Sequence, residues 1–286
     1  MSPVFKGLLL MATGVALLTV NDAVTKYLVQ SHPAGQVIGL RQAATLLVII
    51  PYLMFTGRWR DLRVTDRSGQ FVRGLLFVTG AVFIVWSLAE LPLATAVTML
   101  FASPIFLVAL SAPLLGERIG RHRWIAVLGG FAGVLIIVRP GSAAFQWALL
   151  LPVIGALINA LRDVLTRRLA RTETSIAILF WSNIILMLAG AITAPFGWTP
   201  VTADAAFWFI VAGMCNGIAH FLIIDALRTG EASMIAPVRY TSLLWAALIG
   251  FVVWGDLPGP WLWIGAAVII GSSLHMIRFE RRRSRG

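Results

Sequence analysis

An all-α integral membrane protein is the fold class this sequence predicts, with ten transmembrane helices arranged as two inverted five-helix repeats around a central cavity. Three observations predict it: the composition, the placement of the basic residues and an internal repeat. Of 286 residues, 59% are hydrophobic and only 12% are charged, against about 25% charged in an average soluble domain. Too few charged side chains remain to cover a water-facing surface, so much of the surface must face lipid. Apolar runs close to the ~20 residues that a helix needs to cross a bilayer recur at 5–29, 34–56, 70–90, 93–114, 122–138, 145–168, 174–196, 204–227, 232–254 and 261–278. Runs such as Trp124 to Val138 lack the alternation of a barrel strand.

The basic residues sort these spans. Of 23 Lys and Arg, 18 fall in or beside alternate gaps, beginning with Lys6 and the group Arg58, Arg60, Arg63, Arg67 and Arg73. Arg139 alone occupies the opposite set of gaps, and Lys26, Arg41, Arg162 and Arg239 lie within spans. Positive loops stay on the cytoplasmic side, so both termini are expected there, in a bacterial inner membrane. Net charge is +11, but the arginines are dispersed through short loops. Anionic headgroups of the lipid bilayer account for them, and no nucleic acid is expected as a partner.

Taken in order, span 1 begins like a signal peptide. It is too long for one and ends in Asn21, Asp22 and Lys26 rather than a small-residue cleavage site. Asn21, Asp22 and Thr25 share one of its faces. Asp22 and Lys26 have the i,i+4 spacing of a self-neutralising pair, expected to be structural rather than a proton-coupling site. Span 2 holds Arg41, and span 3 offers Thr79 and Trp86. Span 4 offers Met99 and Ser103, with Pro104 removing a backbone donor. Span 5 carries Gly129-xxx-Gly133, a spacing for close helix approach. Span 6 places Asn159, Arg162, Asp163 and Thr166 on a stripe comparable to that of span 1, while span 7 qualifies by apolar length. Span 8 repeats the small-residue spacing at Gly213-xxx-Gly217 and sets Asn216 and His220 four residues apart. Span 9 carries Arg239, Tyr240 and Ser242, and span 10 runs into a tail of five arginines that reads as a topology anchor.

The repeat follows from register. A shift of 139 residues carries Gly116-Glu117 onto Gly255-Asp256, Trp124-Ile125 onto Trp263-Ile264 and Arg139 onto Arg278. A shift of 141 carries Gly14, Asp22 and Lys26 onto Gly155, Asp163 and Arg167. The halves are 1–139 and 140–286. Each holds five spans, an odd number, so the second half enters the membrane from the opposite side. Inverted repeats are the architecture of many secondary transporters, with the substrate held near mid-membrane between the halves.

Several of these residues form a familiar pattern. It comprises Pro92-Leu93-Ala94-Thr95-Ala96, Ser103-Pro104, Leu115-Gly116-Glu117-Arg118, the stretch from Trp124 through Gly133, and the Arg139-Pro140 close. Together they resemble the drug/metabolite transporter superfamily, specifically its EamA-type ten-helix transporters, over essentially the whole chain. The second half departs from the Gly-Glu-Arg element, with Gly255-Asp256-Leu257 in its place. The narrower likeness is to YddG-type amino-acid exporters; other members take up S-adenosylmethionine or riboflavin, or expel drugs. The resemblance implies a basket whose cavity is lined by spans 1, 3, 4, 6, 8 and 9.

Polar side chains within a span are costly and usually face a bundle interior or a water-filled cavity. The substrate-binding candidates are therefore Thr79, Trp86, Met99, Ser103, Asn159, Asn216, His220, Arg239 and Ser242, with Arg239 a handle for a carboxylate. The expected activity is export of amino acids or similar small amphipathic metabolites by alternating access, performed by a monomer. No cofactor is expected. Cys215 is the only cysteine, so cysteines build no metal site. No Walker-type loop points to ATP. A membrane-embedded enzyme is the disfavoured alternative, since no Ser-His-Asp or His-Glu-xx-His arrangement is present.

Overall fold

The computed structural model describes residues 3–115, 121–139, 146–169, 172–229, 238 and 241–283. Its α-helices are α1 (Pro3–Val29), α2 (Ala34–Thr56), α3 (Arg67–Glu90), α4 (Leu93–Leu100), α5 (Ser103–Leu115) and α6 (Arg121–Val138). They continue as α7 (Leu150–Leu169), α8 (Ser175–Ala191), α9 (Ala203–Thr229), α10 (Thr241–Trp254) and α11 (Pro260–Arg283). No strand occurs among the described residues. Six helices (α1, α2, α3, α7, α8 and α9) are long and apolar enough to cross a membrane, and shorter apolar helices cover the other four expected spans.

Span 4 is broken, as α4 and α5 either side of Phe101 and Ala102. The cause is local. Pro104 has no N–H, so the Leu100 carbonyl loses its helical donor. The chain tightens instead, with Phe101 donating to Thr98 and Ala102 to Met99, both at 3.1 Å.

Packing carries the pseudo-symmetry of the repeat. α1 runs along α9 as α3 runs along α7; α2 rests on α9 as α3 rests on α8; α5 meets α7 as α1 meets α10. The pairs α2–α8, α4–α10 and α6–α11 each join equivalent spans. Exchanging every span with its counterpart five places on leaves this set of pairings unchanged, as two structurally related halves require. The joining crossings are close because glycine occupies them. A Cβ on Gly190 of α8 would stand 2.4 Å from the Gly39 Cα of α2, and one on Gly133 of α6 would stand 2.9 Å from the Gly265 carbonyl of α11. The predicted spacing in span 8 also holds, with Gly213 and Gly217 against Ala44 and Val48 of α2.

The main apolar core lies where α4, α6, α10 and α11 meet, around Leu93, Met99, Ala246 and Ile269. Arg139 ends α6 in the left-handed region at φ 49°, with its guanidinium 4.6 Å from the Trp261 ring centre on α11. At the other end of the bundle, Glu173 accepts the N–H groups of Thr65 and Asp66 at 2.6 and 2.8 Å. This fixes the loop that delivers the chain into α3.

Candidate functional site

A cavity of about 210 Å³ lies among α2, α3, α7, α8 and α9, so both halves of the chain build it. One wall is amide-rich. Asn216 Nδ2 of α9 donates to Thr45 Oγ1 at 3.3 Å, and Asn183 Nδ2 of α8 donates to the Gln42 carbonyl at 3.0 Å. The 3.6-residue period sets Gln42 with Thr45, and Asn216 with His220, on single helix faces. Phe77 and Phe221 supply apolar surface.

The lining also carries two arginines. Arg73 of α3 donates through Nε to Thr166 Oγ1 of α7 at 2.7 Å, and through Nη1 to Ser182 Oγ of α8. Arg162 of α7 pairs with the adjacent Asp163 at 3.1 Å, with its guanidinium 5.1 Å from the Phe77 ring centre. Arg162 and Asp163 are the charged neighbours of Arg73.

A second group of charges sits toward the opposite end. Asn21 Nδ2 donates to Asp22 Oδ1 at 3.0 Å, and Arg41 Nη1 of α2 donates to Thr25 Oγ1 at 3.0 Å. Arg41 is the charged neighbour of Asp22. The expected Asp22–Lys26 pair does not form. Lys26 Nζ instead donates to the Leu88 and Leu91 carbonyls at 3.1 and 2.7 Å, lies 5.4 Å from the Trp254 ring centre, and faces Asp256. Carbonyls at a helix C-terminus carry partial negative charge, and those ending α3 draw the ammonium away from its own helix.

Two comparisons bear on what such a cavity serves. The model of the EamA-like transporter family matches residues 5–139 and again 146–278. The chain belongs to the EamA-like transporter family. It is a multi-pass membrane transporter.

Relatives cover nearly the whole length. A riboflavin transporter of Rhizobium johnstonii is 29% identical over 95% of this chain and 90% of its own. An S-adenosylmethionine uptake transporter of Rickettsia bellii is 27% identical over 92% and 90%. A pseudopaline exporter of Pseudomonas aeruginosa is 25% identical over 96% and 97%. One protein of known crystal structure, 21% identical, covers 96% of this chain and 98% of its own with a TM-score of 0.68, and shares the fold.

In this EamA-like transporter, the candidates read from sequence divide. Asn216 and His220 line the cavity. Asn159 is half-buried in the α3–α7 crossing, its Oδ1 against Gly80. Thr79, bonded to the Leu75 carbonyl, and Trp86 lie on an exposed face of α3. Met99 is fully buried in the apolar core. Ser103 opens α5 and Ser242 lies in the first turn of α10, both half-buried. Arg239, Tyr240 and the Gly116-Glu117-Arg118 element lie outside the described residues. Arg73, Arg162, Gln42, Thr45, Ser182 and Asn183 line the cavity without having been singled out as binding residues. Ser182-Asn183 in the middle of apolar span 7 was the available signal. The lining implied by the resemblance leaves out spans 2 and 7, whereas α2 and α8 form a wall of this cavity.

Proposed function

We propose that the chain moves small amphipathic metabolites, amino acids foremost, across the bacterial inner membrane by alternating access, outward down the substrate's own gradient. The observation that carries this reading is a polar cavity inside an apolar bundle, walled by both halves of the repeat. A cavity between inverted repeats can open to either side as the halves rock. Its volume of about 210 Å³ is below the ~300–1,000 Å³ of pockets for drug-sized ligands, which favours an amino-acid-sized molecule. Apolar side chains would pack the substrate's hydrophobic part while the few polar groups orient its charged ends. This reading takes the monomer as the functional unit. The arginine asymmetry supports cytoplasmic termini; reporter fusions after Gly57 and Gly197 should then lie on opposite sides of the membrane, and both on one side would overturn that topology.

Riboflavin or S-adenosylmethionine uptake is the second reading, favoured by the relatives that carry those substrates. Counterflow in proteoliposomes loaded with amino acids, riboflavin or S-adenosylmethionine separates the two. Labelled amino acids should accumulate against an internal amino-acid pool. Accumulation of labelled riboflavin or S-adenosylmethionine alone would transfer the assignment, and accumulation of nothing would remove it.

A further inference from the structure

Two helices made equivalent by the repeat carry the same polar string with one telling exchange. The shift of 141 carries Asn21, Asp22 and Thr25 of α1 onto Arg162, Asp163 and Thr166 of α7. The local geometry is kept. Asn21 donates to Asp22 Oδ1 at 3.0 Å, as Arg162 donates to Asp163 Oδ1 at 3.1 Å. Each threonine hydroxyl receives an arginine from a neighbouring helix, Arg41 on Thr25 and Arg73 on Thr166.

The partner arginines come from helices that the repeat does not relate, α2 and α3, and the charge differs. Asp22 stands against Arg41, and Lys26 faces Asp256, so the first group balances. Asp163 stands against both Arg162 and Arg73, which among the described residues leaves one positive charge in excess beside the cavity. Among the described residues no carboxylate lines that cavity. Nη2 of Arg73 and Nη1 of Arg162 carry no hydrogen bond among the described residues, while their other nitrogens are held by Thr166, Ser182 and Asp163. Two guanidinium groups are thus fixed in place with donors to spare. A charge withdrawn from water is costly unless an opposite charge and hydrogen bonds meet it, and guanidinium forks match a carboxylate in shape as well as sign.

We infer that Arg73 and Arg162 form the subsite for the carboxylate of the transported molecule, and that the Asn21-to-Arg162 difference between the halves creates it. This inference rests on the transport reading above and names the group recognised: a single carboxylate, in an amino acid or a simple monocarboxylate, with the corresponding amide rejected. One charge in excess matches a monoanion better than a dianionic phosphate monoester.

The repeat supplies the test variant, since Asn at this register already supports the fold in α1. Thermal stabilisation of the purified protein is measured with hydrocinnamate and with its uncharged amide, for wild type and Arg162→Asn. Wild type should bind the acid about 10- to 100-fold more tightly than the amide, the worth of a charged hydrogen bond at ~1.5–3 kcal/mol, and Arg162→Asn should lose that preference. Equal binding of acid and amide by wild type, or a preference intact in Arg162→Asn, would overturn the inference. If Arg162→Asn fails to give a monodisperse protein, Arg162→Lys takes its place. That variant keeps the charge without the planar fork, and an undiminished preference in it would likewise overturn the subsite. Acid-selective binding without amino-acid counterflow would sink the amino-acid reading and leave the carboxylate subsite standing.

Discussion

The group around Asp22 and the group around Asp163 share a repeat-related acid and threonine and differ in their balance of charge. Both join an acid, a threonine one turn on and an arginine from another helix. Around Asp22 each cation has an acid near it: Arg41, 8% exposed, stands near Asp22, and Lys26, which faces Asp256, bolts α1 to the two carbonyls that close α3. Around Asp163 a guanidinium replaces an amide, Asp163 keeps 43% of its side-chain exposure, and the surplus charge borders a cavity. The same register therefore yields a sealed joint in one half and a receptive surface in the other. Balance of charge decides which.

Breaking the sealed joint should have the largest effect. Asp22→Asn removes the negative charge nearest Arg41, which is 8% exposed, and a buried charge without an opposite one destabilises the fold. Severalfold lower abundance in the membrane is expected on quantitative blotting, with the pH dependence of residual transport unchanged. Normal abundance together with loss of proton-driven uphill transport would make Asp22 a coupling site instead. Next comes the receptive surface. Arg73→Ala should lower counterflow by about 10- to 100-fold while membrane insertion persists. Arg73→Lys should not restore it, because a point charge cannot span Thr166 and Ser182 as the planar fork does.

The amide and imidazole side chains of α9 should matter less. Asn216→Ala or His220→Ala removes hydrogen bonds worth ~0.5–1.5 kcal/mol, about 2- to 10-fold in half-saturating substrate concentration. Unchanged transport in both would take α9 out of the site. The smallest effect belongs to a residue outside both groups. Asp66 caps α3 by accepting Gly69 N–H at 2.8 Å, and this bond and the Ser68 hydroxyl hold its pKa below the usual 3.8. The stabilisation is complete above 3.8 and fades as pH falls through the lower folded value. Asp66→Ala should therefore lower the melting temperature slightly at neutral pH, with the gap closing in acid and transport untouched.

Much of the fold was legible before any coordinates. Lipid imposes about 20 apolar residues per crossing, so run lengths mark the spans, and Gly129-xxx-Gly133 marks a crossing because only small residues let backbones meet. The site was less legible. Met99 is apolar, and an apolar residue on an inward face lines a cavity or fills a core with the same sequence signal. Arg73 lies nearly two turns inside α3 and reads as a loop anchor until α7 and α8 bring Thr166 and Ser182 to it. Asp22 and Lys26 have perfect pairing distance along α1, yet carbonyls 62 and 65 residues away claim the lysine.

Hydropathy, charge sorting and register by themselves determined the solvent, the membrane-spanning class and the twofold plan, because each is a property of local sequence read against a bilayer. The partnership of each buried polar group was decided by tertiary structure alone. The helical period assigns a side chain to a face of its own helix, but which helix meets that face depends on crossings such as Gly39 on Gly190. Those crossings are what set Arg73, Arg162 and Asn216 around one cavity.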